Sequence, residues 1–227
     1  MEAWPDSWRE HWVLPIFKRG AVFRPENYRG IHLTAQISKV AERLVKQMTE
    51  PYLERSGGFG NNQFAYRKNR GARDVLALLT LEWLHAFNCR DKVVVYCSDV
   101  AGAFDRVRLE RLVEKLHAKG IHPKLIKLLE SWLQERRARV IVGGCYSDEM
   151  FLNNMVFQGT VLGPLLWLIF FADAASAIIN SLFKEIIFAD DLNAYRVYRK
   201  HSRNSTLLKQ AAKCQENLHA WGRANSV

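Results

Sequence analysis

Two adjacent aspartates, Asp190 and Asp191, interrupt a run of residues that is typical of β-strands. Apolar residues dominate 186–188 and 194–198, so the pattern predicts two strands joined by a turn that carries both acids. Neighbouring carboxylates repel each other, and burying one without a partner is costly. Either this turn is solvated, as Asp-rich turns commonly are, or a cation lies beside it. Hard carboxylate oxygens favour Mg²⁺ or Mn²⁺.

A third acid, Asp99, ends a segment at 92–99 that reads as a buried strand. The chain then turns into a predicted helix with apolar residues at 107, 109, 112, 113 and 116. If the strand before Asp99 neighbours the strands around Asp190 and Asp191, the three acids converge. Such a site can hold two metal ions about 3.5–4 Å apart. This is the geometry that nucleotidyl transfer requires.

Charge and composition limit the partners and the location of the chain. It has 33 Lys and Arg against 23 Asp and Glu, a net charge of +10, which favours a polyanionic partner without separating nucleic acid from an anionic membrane. The four cysteines are scattered without zinc-binding spacing, which suggests a reducing interior. The apolar stretch at 161–172 is shorter than the roughly 20 residues that span a bilayer, so we expect a buried core helix there.

The remaining periodicity predicts helices packed on an antiparallel sheet, an α+β layout. A strand is predicted from Trp12, and the Gly143-Gly144 pair predicts a hairpin. Helical spacing is found in four further segments, which lie at 37–48, 72–87, 123–133 and 206–221.

Five segments, in this order, resemble the reverse transcriptase domain of non-LTR (LINE-like) retrotransposons. The resemblance runs from about Trp12 to Trp221, and one departure within it is Gly30, where the family commonly has proline. Each segment alone is a weak to moderate signal, whereas the five in this order and at these separations are highly specific. The segments are 27–33 with 38–44 (NYRGIHL and SKVAERL), 62–67 (NQFAYR), 98–105 (SDVAGAFD), 158–164 (QGTVLGP) and 188–191 (FADD).

The resemblance implies a fold and a division of the chain. The expected fold is α+β, a polymerase right-hand palm made of an antiparallel sheet backed by helices, with partial fingers and the thumb missing. Residues 1–90 would form a fingers-like segment with the first palm helices, and residues 91–227 the palm with the catalytic carboxylates. The whole chain would be one reverse transcriptase domain fragment, which we expect to polymerise poorly by itself.

The resemblance also implies a metal site. Asp99 and Asp190 would bind two Mg²⁺ ions, with Mn²⁺ as the alternative ion, and Asp191 would support them. The backbone carbonyl of Val100 would complete one coordination sphere. Asp99, Asp190 and Asp191 are thus the predicted catalytic residues, and with Val100 they are the predicted metal ligands.

Nucleotide contacts are implied by the same resemblance. Phe104 would pack under the incoming sugar and exclude a 2′-hydroxyl, although an aromatic residue there also suits an ordinary core. Gln158 and Gly159 would line the nucleotide and template pocket, although Gln-Gly is also a common turn. Lys18 and Arg29 would grip the triphosphate. Val100 belongs to this predicted nucleotide-binding set as well.

The function implied is RNA-directed DNA polymerisation, in which an RNA template is copied from a DNA primer with dNTPs. No membrane partner, signal peptide or transmembrane helix is expected, and the family resemblance suggests the nucleus and cytoplasm. Two alternatives remain open: an intron-encoded maturase or RNA-dependent RNA polymerase, and a catalytically silent RNA-binding remnant.

Overall fold

The structure, a computed structural model, describes residues 3–227 and contains helices and strands along most of that length. The strands are β1 Glu10–Phe17, β2 Tyr28–Thr34, β3 Lys92–Ser98, β4 Arg136–Val142, β5 Cys145–Tyr146, β6 Met150–Leu152, β7 Lys184–Phe188 and β8 Asp191–Tyr198. The helices are α1 Gln36–Arg55, α2 Ala72–Asn88, α3 Leu109–Ala118, α4 Pro123–Leu133, α5 Leu162–Phe171, α6 Ala174–Ile179 and α7 Asn204–Asn225. The predicted α+β class is confirmed.

Contacts divide the chain into two compact units. The first combines the segment up to Ser56 with Phe104–Ile169, and the second combines Gly57–Ala103 with Phe170–Val227. Both units are therefore assembled from two separate stretches of sequence. The division into fingers-like residues 1–90 and palm residues 91–227 is a functional one and stays a prediction.

The first unit is built on a sheet with the strand order β2, β1, β4, β5, and β6 pairs with β4. Strands β1 and β2 are antiparallel, from His11 opposite Thr34 to Phe17 opposite Tyr28. The pairing of β1 with β4 is parallel, so this sheet is mixed rather than antiparallel throughout. The hairpin predicted at the Gly143-Gly144 pair is present, with Val142 opposite Cys145.

Helix α1 buries a face that its apolar spacing did not indicate. The buried side chains include Ser38 and Glu42, whereas Val40 and Met48 are exposed. The Glu42 carboxylate accepts hydrogen bonds from the backbone N–H groups of Val161, at 2.7 Å, and Leu162, at 3.2 Å. A buried anion therefore satisfies N–H groups at the start of α5, where the helix dipole favours negative charge.

The apolar stretch that contains α5 is a core element. Leu162–Ile179 has the length and hydropathy of a membrane span, but 61% of it is buried inside the protein and it is divided between α5 and α6. Trp167 and Ile169 are fully buried. These properties agree with the predicted core helix.

A buried cluster of His11, His32 and Arg136 lies in the first unit. The Arg136 Nη1 group is 2.8 Å from His11 Nε2, and His11 Nδ1 is 3.2 Å from His32 Nδ1. Because Arg136 can only donate, His11 Nε2 must accept, and His11 then donates from Nδ1 to His32. Burial, and then the charge of Arg136, lowers the pKa of His11 to about 2 and that of His32 to about 4. Both imidazoles are therefore neutral near pH 7.

The second unit is built on a three-stranded antiparallel sheet with the order β3, β8, β7. Strand β8 pairs with β3 from Lys92 opposite Tyr198 to Ser98 opposite Leu192. On its other side β8 pairs with β7 as a hairpin. The core beside this sheet contains Phe64, Val75, Ile186 and Tyr195. The antiparallel sheet predicted around the acidic residues is therefore present.

Candidate active site

The pairing of β3 with β8 brings the acidic segments of the second unit together. Ser98 lies opposite Leu192, Asp99 follows Ser98, and Asp191 precedes Leu192. If the register is extended by one position, Asp99 faces Asp191. Opposed residues in an antiparallel pair have Cα atoms about 4.5–5.5 Å apart. Two acidic segments that are far apart in the sequence are thus neighbours at one end of one sheet.

The turn between β7 and β8 is a two-residue hairpin loop. Phe188 lies opposite Asp191, which leaves Ala189 and Asp190 as the loop residues. Ala189 has a φ of +60°. Tight hairpin turns require a positive φ at the first loop position and usually place Gly, Asn or Asp there. An alanine in this conformation carries about 1–2 kcal/mol of strain.

The three acids differ in their exposure. Asp99 and Asp191 are exposed, whereas Asp190 is half-buried and Ala189, which precedes it, is buried. The backbone carbonyl of Val100 accepts a hydrogen bond from the N–H of Ala103 at 3.2 Å, which closes the turn after β3. A carbonyl has a second lone pair, so this bond leaves one available.

The donor set suits a hard divalent cation. Among residues 3–227, no group of three or more His, Cys, Asp or Glu side chains is already arranged as a metal cage. Mg²⁺ in polymerase-type sites is commonly bound by one or two carboxylates with substrate phosphates, rather than by an all-protein cage. The carboxylates at the ends of β3 and β8, with the Val100 carbonyl next to Asp99 in the chain, fit that mode of binding. The assignment of Asp99, Val100, Asp190 and Asp191 as ligands stays a prediction.

Phe104 lies in the first unit, at the start of the helical turn after Asp99. Its side chain is 8% exposed and stacks on Trp167, with ring centroids 5.9 Å apart and planes 19° apart. Its carbonyl accepts a hydrogen bond from Val156 N–H at 2.8 Å. Phe104 therefore has the packing of a core residue, and its role towards a sugar stays a prediction.

Gln158 and Gly159, also in the first unit, are fixed against strand β2. The Gln158 carbonyl accepts a hydrogen bond from His32 N–H at 2.7 Å. Gly159 has a φ of +93°, and a Cβ added there would lie 3.0 Å from both the His32 carbonyl oxygen and Ile31 Cγ2. The glycine is thus required for its backbone conformation and for the close approach to β2.

Replacing Gly159 with alanine is expected to lower the free energy of unfolding by about 2–3 kcal/mol, because strain at φ and a backbone clash act together. Gly143→Ala is the matched control. Gly143 also has a positive φ, of +58°, but an added Cβ meets nothing within 4 Å. Urea unfolding should show a clearly larger loss for Gly159→Ala. Equal losses would contradict the proposed close approach.

The two predicted triphosphate-binding cations are exposed in the first unit. Lys18 closes the β1–β2 connection, where its backbone N–H donates to the Asn27 carbonyl at 2.8 Å. Its charge lowers the pKa of the Asp105 carboxyl, although burial has the larger effect and raises that pKa overall. Arg29 lies in β2 with its side chain exposed. The roles of Lys18 and Arg29 stay predictions.

Sequence reasoning assigned no separate role to Gln63, which is 3% exposed. Its side-chain amide binds both backbone groups of Ala189 in the acidic hairpin turn. The sequence did offer one signal, because the amide of Gln63 stands next to the apolar residues Phe64 and Ala65. An amide that is buried with such neighbours must find hydrogen-bond partners.

A three-stranded antiparallel sheet with acids at a hairpin turn and at the neighbouring strand end is the palm arrangement of a template-copying polymerase. The family model for "Reverse transcriptase (RNA-dependent DNA polymerase)" matches residues 16–225. The chain belongs to this reverse transcriptase family.

Curated relatives are proteins of non-LTR retrotransposons. The chain is 32% identical over 175 residues to the probable RNA-directed DNA polymerase from transposon BS of Drosophila melanogaster, an alignment that covers 76% of this chain and 19% of the relative. It is 29% identical to the probable RNA-directed DNA polymerase from transposon X-element of the same species, covering 97% of this chain and 25% of the relative. The chain thus spans about a fifth to a quarter of these relatives' lengths.

Solved structures of telomerase share the fold. Apo telomerase from Candida tropicalis superimposes with a TM-score of 0.66 at 13% identity, covering 91% of this chain and 41% of that one. Telomerase from Candida albicans, in complex with a TWJ fragment of telomeric RNA, gives a TM-score of 0.63 at 12% identity, covering 96% of this chain and 41% of that one. At these identities the likeness concerns the fold alone, and it agrees with the predicted polymerase palm.

Proposed function

We propose that this chain is the polymerase core of a retrotransposon reverse transcriptase, which copies an RNA template by adding dNTPs to the 3′-hydroxyl of a DNA primer. The observation that carries the proposal is the β3–β8 register, which brings the end of the strand before Asp99 beside the Asp190-Asp191 turn. Membership of the reverse transcriptase family and similarity to transposon polymerases support it over a maturase or an RNA-dependent RNA polymerase. We place its activity in the nucleus and cytoplasm.

In this proposal the protein contributes mainly charge and position. Asp99 and Asp190 hold two Mg²⁺ ions, with Asp191 and the Val100 carbonyl in support. Bound metal lowers the pKa of the primer hydroxyl and neutralises charge on the triphosphate and the leaving pyrophosphate. The carboxylates need no proton transfer of their own, because their negative charge and fixed spacing position the cations.

Basic residues supply the remaining interactions. Lys18 and Arg29 bind triphosphate oxygens, and the net charge of +10 attracts the template and primer backbones. Binding to nucleic acid should therefore weaken steeply as salt is raised. Phe104 excludes the 2′-hydroxyl of a ribonucleotide, while Gln158 and Gly159 line the template pocket.

The test is primer extension on poly-rA with oligo-dT in Mg²⁺, with this chain and with a version extended by the thumb segment of a relative. We expect the extended version to prefer dTTP to UTP by at least about 100-fold, since a steric clash with an added hydroxyl can discriminate on that scale. Phe104→Val should lower this preference at least about tenfold, because the smaller side chain leaves room for the hydroxyl.

The control for that variant is its circular dichroism and melting curve, because Phe104 also packs on Trp167. Equal use of UTP by the unaltered protein would overturn the DNA polymerase proposal. An unchanged nucleotide preference in folded Phe104→Val would overturn only the role of that ring. Nucleic-acid binding without extension in any version would identify a silent RNA-binding remnant.

A further inference from the structure

The side chain of Gln63 is bound to the acidic hairpin turn at two points. Its Oε1 accepts a hydrogen bond from Ala189 N–H at 3.0 Å, and its Nε2 donates to the Ala189 carbonyl oxygen at 3.2 Å. Oε1 also accepts from Ala65 N–H at 3.0 Å. Gln63 is 3% exposed, so these bonds form away from water, where breaking them is costly.

The backbone around Gln63 is itself fixed to the strand that leads into the turn. Phe64 N–H donates to the Ile187 carbonyl at 2.9 Å, and Ile187 N–H donates to the Asn62 carbonyl at 2.9 Å. Gln63 and Ile187 thereby form a parallel bridge. The amide therefore extends from a rigid position to a turn residue only two places beyond Ile187 in the chain.

The turn needs such support because its backbone is strained. Ala189 has a φ of +60°, a conformation that alanine rarely adopts. Its N–H belongs to the peptide group before it, and its carbonyl to the peptide group that leads into Asp190. One primary amide thus fixes both peptide planes around Ala189 and, with them, the direction in which the Asp190 backbone begins.

We propose that Gln63 is a positioning residue that holds the strained Ala189 turn and so presents the carboxylates of Asp190 and Asp191 in the geometry a divalent cation needs. The consequence for metal binding rests on the proposed function, whereas the constraint on the turn does not. Residues that orient ligands from outside the coordination sphere commonly change metal affinity by about 10–100-fold. Gln63 touches no reacting atom in this role.

The test uses the chain as it is and compares Gln63→Leu with Asn62→Leu. Leucine has a similar volume and removes both hydrogen bonds to Ala189, together with the one that Gln63 accepts from Ala65 N–H. Asn62→Leu is the matched control, since it removes the neighbouring amide's bond to Glu185, which is 3.0 Å long, and leaves the turn contacts in place. The readouts are amide hydrogen exchange at Ala189 by NMR and Mn²⁺ affinity by electron paramagnetic resonance, with circular dichroism as a check of folding.

Gln63→Leu is expected to speed exchange at Ala189 at least about tenfold and to weaken Mn²⁺ binding about tenfold, and the control should do neither. Adding Ala189→Gly to Gln63→Leu should return the Mn²⁺ affinity to within about threefold of the unaltered chain, because glycine adopts a positive φ without strain. A merely structural role for Gln63 gives no reason for this rescue.

The proposal is overturned if folded Gln63→Leu matches Asn62→Leu in exchange at Ala189, or if Ala189→Gly rescues nothing. If Gln63→Leu does not fold, Gln63→Asn is read by the same criteria, since its shorter amide keeps the polarity but falls short of the turn. An unaltered chain that binds no Mn²⁺ would overturn the metal site of the proposed function and the presentation of ligands by Gln63. In that case, faster exchange at Ala189 in Gln63→Leu would still show that Gln63 constrains the turn, although the turn would not be a metal site.

Discussion

Replacing Asp190 with asparagine is expected to reduce primer extension by the thumb-extended protein at least about 1,000-fold, which corresponds to about 4 kcal/mol of transition-state stabilisation. Asparagine keeps the size of the side chain and removes its negative charge. The charge is what a divalent cation requires, and the metal is proposed to stabilise both the attacking and the leaving oxygens. The measurement is the initial rate of dTTP incorporation on poly-rA with oligo-dT.

The matched control is Asp148→Asn, an acid-to-amide change at an exposed position of the first unit. It should keep the unaltered rate. A second measurement is the melting temperature with and without Mn²⁺. A ligand that binds only the folded state raises stability according to its concentration and affinity, so the unaltered chain should gain stability and Asp190→Asn should gain much less. If Asp190→Asn keeps more than about a tenth of the unaltered incorporation rate, Asp190 is not a catalytic residue.

Lowering the pH from 7 to 4.5 is expected to cost the folded chain about 3–5 kcal/mol through the His11–His32–Arg136 cluster. The pKa of His11 is lowered to about 2 and that of His32 to about 4, below the ordinary value of 6.5. The unfolded chain therefore binds more protons below about pH 6.5. Each such histidine removes up to about 1.4 kcal/mol of stability per pH unit as the pH falls towards its folded pKa. Well above pH 6.5 the two imidazoles are neutral in both states and contribute no slope.

The hydrogen-bond chain explains why protonation is resisted. A proton on His11 Nε2 would remove the acceptor that the Arg136 guanidinium uses and place two cations 2.8 Å apart. The measurement is urea unfolding at several pH values between 7 and 4.5. His11→Gln should flatten the acid dependence, while His117→Gln, at an exposed position, should leave it unchanged. A dependence that is equally steep in His11→Gln would assign the acid loss to other groups.

Much of the fold could be predicted from local sequence patterns, which are clearest in long helices and strands. Helix α2 was expected at 72–87 and occupies Ala72–Asn88, and Pro123 begins α4 as predicted. The acidic hairpin was predicted from the apolar, strand-type runs on both sides of Asp190 and Asp191, and the neighbouring strand from the apolar run that ends at Asp99. The structure confirms that these strands pair. A three-stranded sheet offers each strand few other partners.

Long-range polar contacts could not be predicted in this way. Helical spacing predicted a helix at 37–48, but it did not predict that this helix buries Glu42, whose carboxylate binds N–H groups 119 and 120 positions further along the chain. Gln63 was part of a recognised motif, but its partner lies 126 positions away. Hydrophobic periodicity reports which residues avoid water, and it does not report which buried polar group satisfies another.

Because the backbone passes from one compact unit to the other after Ser56, after Ala103 and after Ile169, neither unit is a contiguous piece of the polypeptide. A protease cut near residue 90 would therefore give two fragments, each of which contains only part of the first unit and part of the second. Folding must also close very long loops before Lys92 can meet Tyr198 or His11 can meet Arg136. Such distant pairings slow folding, so a ribosome will have released most of this sequence before either sheet is complete.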